Sequence, residues 1–231
     1  MIWHDVECGA YAADLPLWRE LAAAARGPVL DVGAGTGRVA IDLARRGFDV
    51  HALDVDADLL AELRRREPGV PVHAADARDF DLGLRFSLVI APMQTVQLLG
   101  GPRDREAFLR CARRHLAPGG VLAAALANTL EDFEAGEVEV PPDMREVDGV
   151  VYASRPTAVR ADGDGFVLER LRERVDRHGA RSVAENRIRL ARVSAERLNA
   201  EGAAIGFHPE PPRTIEATDD HVGSEVAILR A

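Results

Sequence analysis

Val29-Leu30-Asp31-Val32-Gly33-Ala34-Gly35-Thr36-Gly37-Arg38 is the stretch on which the reading of this chain turns. A short apolar run carries an acid, passes through three alternating glycines and enters 38–46, where apolar residues recur at helical spacing. Glycine adopts torsions that other residues resist, and it lets a ligand come close to the main chain. The spacing excludes two common sites. A dinucleotide fingerprint, G-x-G-x-x-G, would put its third glycine at Arg38, whereas the glycines here fall at 33, 35 and 37. A phosphate loop needs a lysine, and this chain has none.

Outward from that turn, two signals alternate. Short apolar runs at 29–32, 48–53, 70–75, 86–91 and 121–127 are separated by helical patterns at 38–46, 57–66 and 103–116. Such alternation predicts an α/β fold with a parallel sheet covered on both faces. A helix over 15–26, with Pro16 in its first turn, precedes the first strand. Past 127 the rhythm changes. Segments 150–160, 165–176 and 180–192 are rich in β-branched residues, and Asp162-Gly163-Asp164-Gly165 and His178-Gly179 punctuate them as hairpins. They predict a three-stranded antiparallel insertion, placed within 138–193 of a single domain spanning 1–231. Ser194 reads as the cap of a helix to Gly202, and strands at 205–217 and 224–230 close the chain.

Composition narrows the chemistry. The 231 residues carry 29 basic side chains, all arginine, against 38 acidic ones, for a net charge of −9. No lysine means no Schiff-base nucleophile, and a net negative chain is a poor sequence-independent binder of nucleic acid. No apolar run is long enough for a membrane helix, and MIWHDVECGA lacks a secretory pattern, so the expected location is the cytoplasm. Cys111 falls on an apolar helical face as a buried thiol, and Arg64, Arg65 and Arg66 read as a solvated helix end.

Asp54 ends the second predicted strand, where a carboxylate can accept both hydroxyls of a ribose, and Asp76 ends the third. Asp31, Asp54 and Asp76 at successive strand ends form an acidic crevice suited to a cationic nucleoside.

With these residues in place, the chain resembles the class I S-adenosylmethionine-dependent methyltransferases of small-molecule type, over roughly 11–127 and the last two strands. The resemblance implies a doubly wound, Rossmann-like seven-stranded sheet whose last strand is antiparallel, with the insertion as an antiparallel lid. It implies S-adenosyl-L-methionine as cofactor. Gly33, Ala34, Gly35 and Gly37 then meet its methionine part, Asp54 the ribose, and Val55, Asp76 and Ala77 the adenine, with Asp31 also counted among the cofactor-binding residues. Tyr11 lies in a segment that such enzymes fold over the cofactor, and Ala91 and Met93 begin the transfer site.

Methyl transfer from a sulfonium needs positioning more than a dedicated base, so no catalytic residue is obligatory. Gln94 and His221 are the candidates for such a role. Gln94, Gln97, Asn128 and Arg155 are the candidate acceptor-binding residues. Ala91-Pro92-Met93-Gln94 replaces the Asn/Asp-Pro-Pro-aromatic motif of nucleic-acid amino-methyltransferases, so the expected partner is a small molecule, with no nucleic acid and no membrane. A homodimer stays open. Asp219 and Asp220 are read as loop acids facing water, so no metal is expected. The competing reading is a cofactor-binding regulatory or partner protein without transfer activity.

Overall fold

The computed structural model describes residues 2–127, 133–134, 141–218 and 221–231. Its first half runs α1 (Ile2–Cys8), α2 (Leu15–Ala25), β1 (Val29–Val32), α3 (Arg38–Arg45), β2 (Val50–Asp54), α4 (Ala57–Arg66), β3 (Val72–Ala74), β4 (Phe86–Ala91), α5 (Thr95–Leu98), α6 (Pro102–His115) and β5 (Leu116–Leu126). Then follow β6 (Phe133–Glu134), β7 (Asp143–Val147), β8 (Val150–Asp162), β9 (Gly165–Val175), β10 (Arg181–Ala191), α7 (Ala195–Ala203), β11 (His208–Ile215) and β12 (Ser224–Arg230).

The main sheet has seven strands in the order β11-β12-β5-β4-β1-β2-β3. The run from β5 to β3 is parallel, and β12 enters antiparallel between β5 and β11. Every residue of β1 is buried, and its side chains alternate between two cores. Leu30 and Val32 join Phe86, Val89, Phe108 and Leu198 on one face; Val29 joins Trp18, Leu43, Leu63 and Leu88 on the other. That is why these strands read as continuous apolar runs: both faces of the sheet are covered by helices. Chain direction across the sheet reverses between β1 and β4, leaving a crevice at their carboxyl ends.

The second sheet is antiparallel, in the order β10-β9-β8-β6, with β7 also pairing β8. The three hairpin strands read from the sequence are β8, β9 and β10; β6 and β7 are additional. β7 is mostly exposed and gives no apolar alternation to read. Two local expectations change. α1 was not anticipated, and Arg66 is no solvated helix end: its guanidinium reaches Asp5 of α1 as well as Glu62. Cys111 is fully buried, as its helical face implied. No helix among the described residues is long and apolar enough to cross a membrane.

Between β2 and β3, His51 Nδ1 and His73 Nε2 lie 3.0 Å apart and share a proton. Burial, and then the neighbouring His51, holds the His73 pKa below the ordinary imidazole value. The folded state therefore resists a proton that the unfolded chain accepts near pH ~6.5. Stability is full above that value and is lost as pH falls through the folded pKa. The urea midpoint should drop between roughly pH 7.5 and 5.5, and His73→Gln should shrink the drop. An equal drop in both proteins would remove the pair from the pH response.

Candidate active site

A cavity of about 1350 Å³ occupies the crevice, bounded below by the glycine turn and above by α1 and the inner face of the second sheet. Gly33, Gly35 and Gly37 all take positive φ, at 72°, 55° and 93°. The Gly33 and Ala34 amides donate to Leu53 O at 2.8 and 3.1 Å, tying the turn to the end of β2. Part of the demand for glycine is internal packing. A Cβ at Gly33 would lie 2.6 Å from Thr95 Oγ1, one at Gly35 2.2 Å from His4 Nε2, and one at Gly37 2.7 Å from Leu63 Cγ.

The three acids of the crevice have three different environments. Asp31 is 1% exposed, neither of its oxygens has a hydrogen-bond partner, and it borders the cavity. Burial pushes its pKa up to about 7, with Arg38 and the Ala40 amide, which falls outside hydrogen-bond geometry, pulling the other way. Asp54 accepts the Gly35 amide at 2.8 Å and the Asp56 amide at 2.9 Å, so it shapes the turn as well as facing the cavity. Asp76 is held by Arg78, whose hydrogen bonds keep its carboxyl below the usual carboxylate range; Arg78 also reaches Asp104 of α6. β3 stops at Ala74, so Asp76 sits just beyond the strand rather than on its last residue.

α1 closes the cavity from the amino-terminal side. The Thr36 hydroxyl donates to Asp5 at 2.6 Å, and its oxygen lies 3.3 Å from His4 Nδ1. Glu7 accepts both arms of Arg172, at 2.7 and 2.8 Å, and the Ser154 hydroxyl at 2.7 Å. Burial works to raise the Glu7 pKa, but these hydrogen bonds prevail and hold it low. Arg170 pairs with Asp143 and donates to Ser154. Burial pushes the Cys8 thiol up to about 11, leaving it a neutral wall atom.

Of the residues singled out from the sequence, Tyr11, Asp31, Gly33, Ala34, Asp54, Val55, Asp76, Ala77, Met93, Gln94 and His221 border this cavity. Tyr11 and His221 stack with ring centroids 4.7 Å apart, and Met93 takes φ 54°, a turn that carries Gln94 to the rim. Gly35 sits in the same turn beneath His4, while Gly37 packs on α4 and caps α3. Ala91 is fully buried at the end of β4.

Two acceptor candidates are corrected. Gln97 is 1% exposed and its amide is used internally: it donates to Ala127 O and Ala191 O and accepts the Ala127 amide. Arg155 is exposed on the outer face of β8. Successive strand residues point to opposite faces, so its neighbours Ser154 and Pro156 face inward with Arg170 and Arg172 of β9. Those two arginines, with Glu7 and Asp143, are charged cavity residues that the sequence did not reveal. Asn128, Asp219 and Asp220 lie outside the described residues. Among the described residues no His, Cys, Asp and Glu cluster could hold a metal ion.

A doubly wound sheet with this turn and an acid-lined crevice defines a nucleoside-cofactor enzyme of the methyltransferase class. Residues 29–120 match the methyltransferase domain family. The dTDP-3-amino-3,6-dideoxy-alpha-D-glucopyranose N,N-dimethyltransferase of Streptomyces fradiae is 32% identical over 193 residues, covering 80% of this chain and 72% of that enzyme. The dTDP-3-amino-3,4,6-trideoxy-alpha-D-glucopyranose N,N-dimethyltransferase of Streptomyces venezuelae is 32% identical over 141 residues, 61% of this chain and 58% of that enzyme. Among solved structures, an S-adenosylmethionine-bound amino pentose methyltransferase of Micromonospora echinaspora superposes with TM-score 0.75 at 26% identity, covering 100% of this chain and 97% of that one. The chain belongs to the class I S-adenosylmethionine-dependent methyltransferases. It is an enzyme that moves a methyl group from that cofactor to an oxygen or nitrogen of a small-molecule acceptor. Nothing favours the competing reading of a binding protein without transfer activity.

Gly35→Ala would place a Cβ against His4 and force a left-handed alanine, a strain of roughly 1–2 kcal/mol before any displacement of α1. Calorimetry should show cofactor affinity falling at least about tenfold with the circular dichroism unchanged. Adding His4→Ala should recover part of the loss. Wild-type affinity in the single variant would separate the turn from the cofactor.

Proposed function

We propose that the enzyme N-methylates the amino group of a nucleotide-linked sugar. The observation that carries this reading is the size of the cavity. Small-ligand pockets ordinarily span about 300–1,000 Å³. At about 1350 Å³, this one leaves room beside the cofactor for a second ligand of comparable bulk. The names of three relatives support the acceptor class: each is an N,N-dimethyltransferase of a dTDP-amino sugar.

The residues present suit S-adenosyl-L-methionine. Asp31 is an orphaned buried carboxyl group, Asp54 retains free lone pairs toward the cavity, and Gly33 and Ala34 line the cavity floor. In this reading Gly33, Ala34 and Gly35 meet the methionine part, Asp54 the ribose, and Val55, Asp76 and Ala77 the adenine. Tyr11 and Met93 border the reacting centre, and the insertion from about 138 to 193 serves as lid. Bound there, the cofactor supplies a methyl carbon already activated by its sulfonium. The protein's part is to aim the acceptor and exclude water.

An amine suits the remaining groups better than a hydroxyl. Glu7 of the upper wall is held by both arms of Arg172 and by Ser154, which keep its pKa low and make it a poor proton acceptor, and Asp143 is engaged by Arg170. A neutral amine needs only its lone pair exposed and aimed, and Gln94 and His221 are the rim groups able to hydrogen-bond it. The reading goes with action in the cytoplasm, away from nucleic acid. Incubation with the cofactor and a dTDP-amino sugar should yield mono- and dimethylated product by mass spectrometry, and the hydroxyl analogue should stay unmodified. Methylation of the hydroxyl analogue alone would overturn the proposal.

A further inference from the structure

We propose that Asp31 is a proton-linked counter-ion: it keeps a proton while the crevice lacks a cation, releases it when the cationic donor loads, and regains it when the demethylated product leaves. This rests on the reading of the crevice as the cofactor site and adds an energetic role for one of its residues.

Asp31 lies on fully buried β1, and its oxygens have no hydrogen-bond partner, a costly position for an ionised carboxylate. The groups facing it are Arg38 of α3, Asp14 at the start of α2 and Asp54 at the end of β2. Arg38 is already committed, with its two terminal nitrogens on the Asp14 oxygens at 2.6 and 2.7 Å. One cation therefore faces three carboxylates if Asp31 is ionised. A proton on Asp31 relieves the imbalance in the empty crevice, and its elevated pKa, about 7, agrees with that geometry.

A ligand bringing positive charge reverses the preference. S-adenosylmethionine carries a sulfonium beside its ammonium and carboxylate, and its demethylated product lacks the sulfonium charge. The ionised form of Asp31 is thus stabilised more by donor than by product. Linkage then requires donor affinity to rise with pH through the titration of Asp31, with product affinity rising less. The proton balance closes over a cycle: Asp31–COOH gives H⁺ to solvent on loading and takes one back on product release. The consequence is discrimination against the product that grows with pH.

Calorimetric titrations of donor and of product, each in two buffers of different ionisation heat, test this directly. At about pH 6.5, where the ammonium of either ligand keeps its proton, donor binding should release roughly half a proton or more per site and product binding distinctly less. Asp31→Asn should abolish the release. If that variant fails to fold or bind, infrared difference spectra of the wild-type protein should show a protonated carboxyl band disappearing on donor addition. Heats independent of buffer, with normal donor affinity, would overturn the inference and leave the methyltransferase reading intact. Absence of donor binding altogether would overturn both.

Discussion

The turn from β1 into α3 takes three residues through positive φ within five positions, and each is crowded by a different element: Thr95 of α5 against Gly33, His4 of α1 against Gly35, and Leu63 of α4 against Gly37. No side chain fits at any of the three, so the surrounding elements pack directly on main chain. The rest of the site follows from that constraint. Asp54 reaches the Gly35 amide because the turn stays low against β2. α1 comes close enough for Thr36 to hold Asp5, and with α1 in place Glu7 meets the second sheet. One short turn thus sets the height of the cavity floor and the position of its amino-terminal wall.

The half of the cavity built on the glycine turn was legible in the sequence because its signals are local. Val29–Val32 and Phe86–Ala91 announce themselves as strands buried on both faces, and the glycines and Asp54 mark where those strands end. The half under the second sheet was not, because it depends on register between distant segments. Arg155 and Ser154 are adjacent in sequence, but the pleat sends one outward and the other toward Glu7. Arg170 and Arg172 sit in a strand read only as part of the hairpin insertion, and pairing with β8 turns both into the cavity. α1 escaped notice for a related reason: Asp5 and Glu7 are buried through ion pairs, which leave no apolar period to read.

The absence of lysine acquires a structural meaning here. Arg172 on Glu7 and Arg38 on Asp14 grip a carboxylate with two nitrogens, and Arg170 spans Asp143 and Ser154. A guanidinium fork fixes the orientation of its partner where an ammonium would only attract it. The contacts between α1 and the second sheet therefore carry direction as well as charge. They suit a wall that must hold its shape around two ligands.

Gln97 has a consequence beyond its burial. Its single amide bonds the backbone at Ala127, where the chain leaves the main sheet, and at Ala191, where it comes back. One side chain thus clasps the two ends of the excursion, and Glu7 of α1 holds its described strands at a second place through Ser154 and Arg172. The segment is built like an exchangeable cassette, since its length and sequence can change without altering the path of the seven-stranded sheet. Rewriting the excursion would change the upper wall of the cavity and leave the glycine turn beneath it as it is.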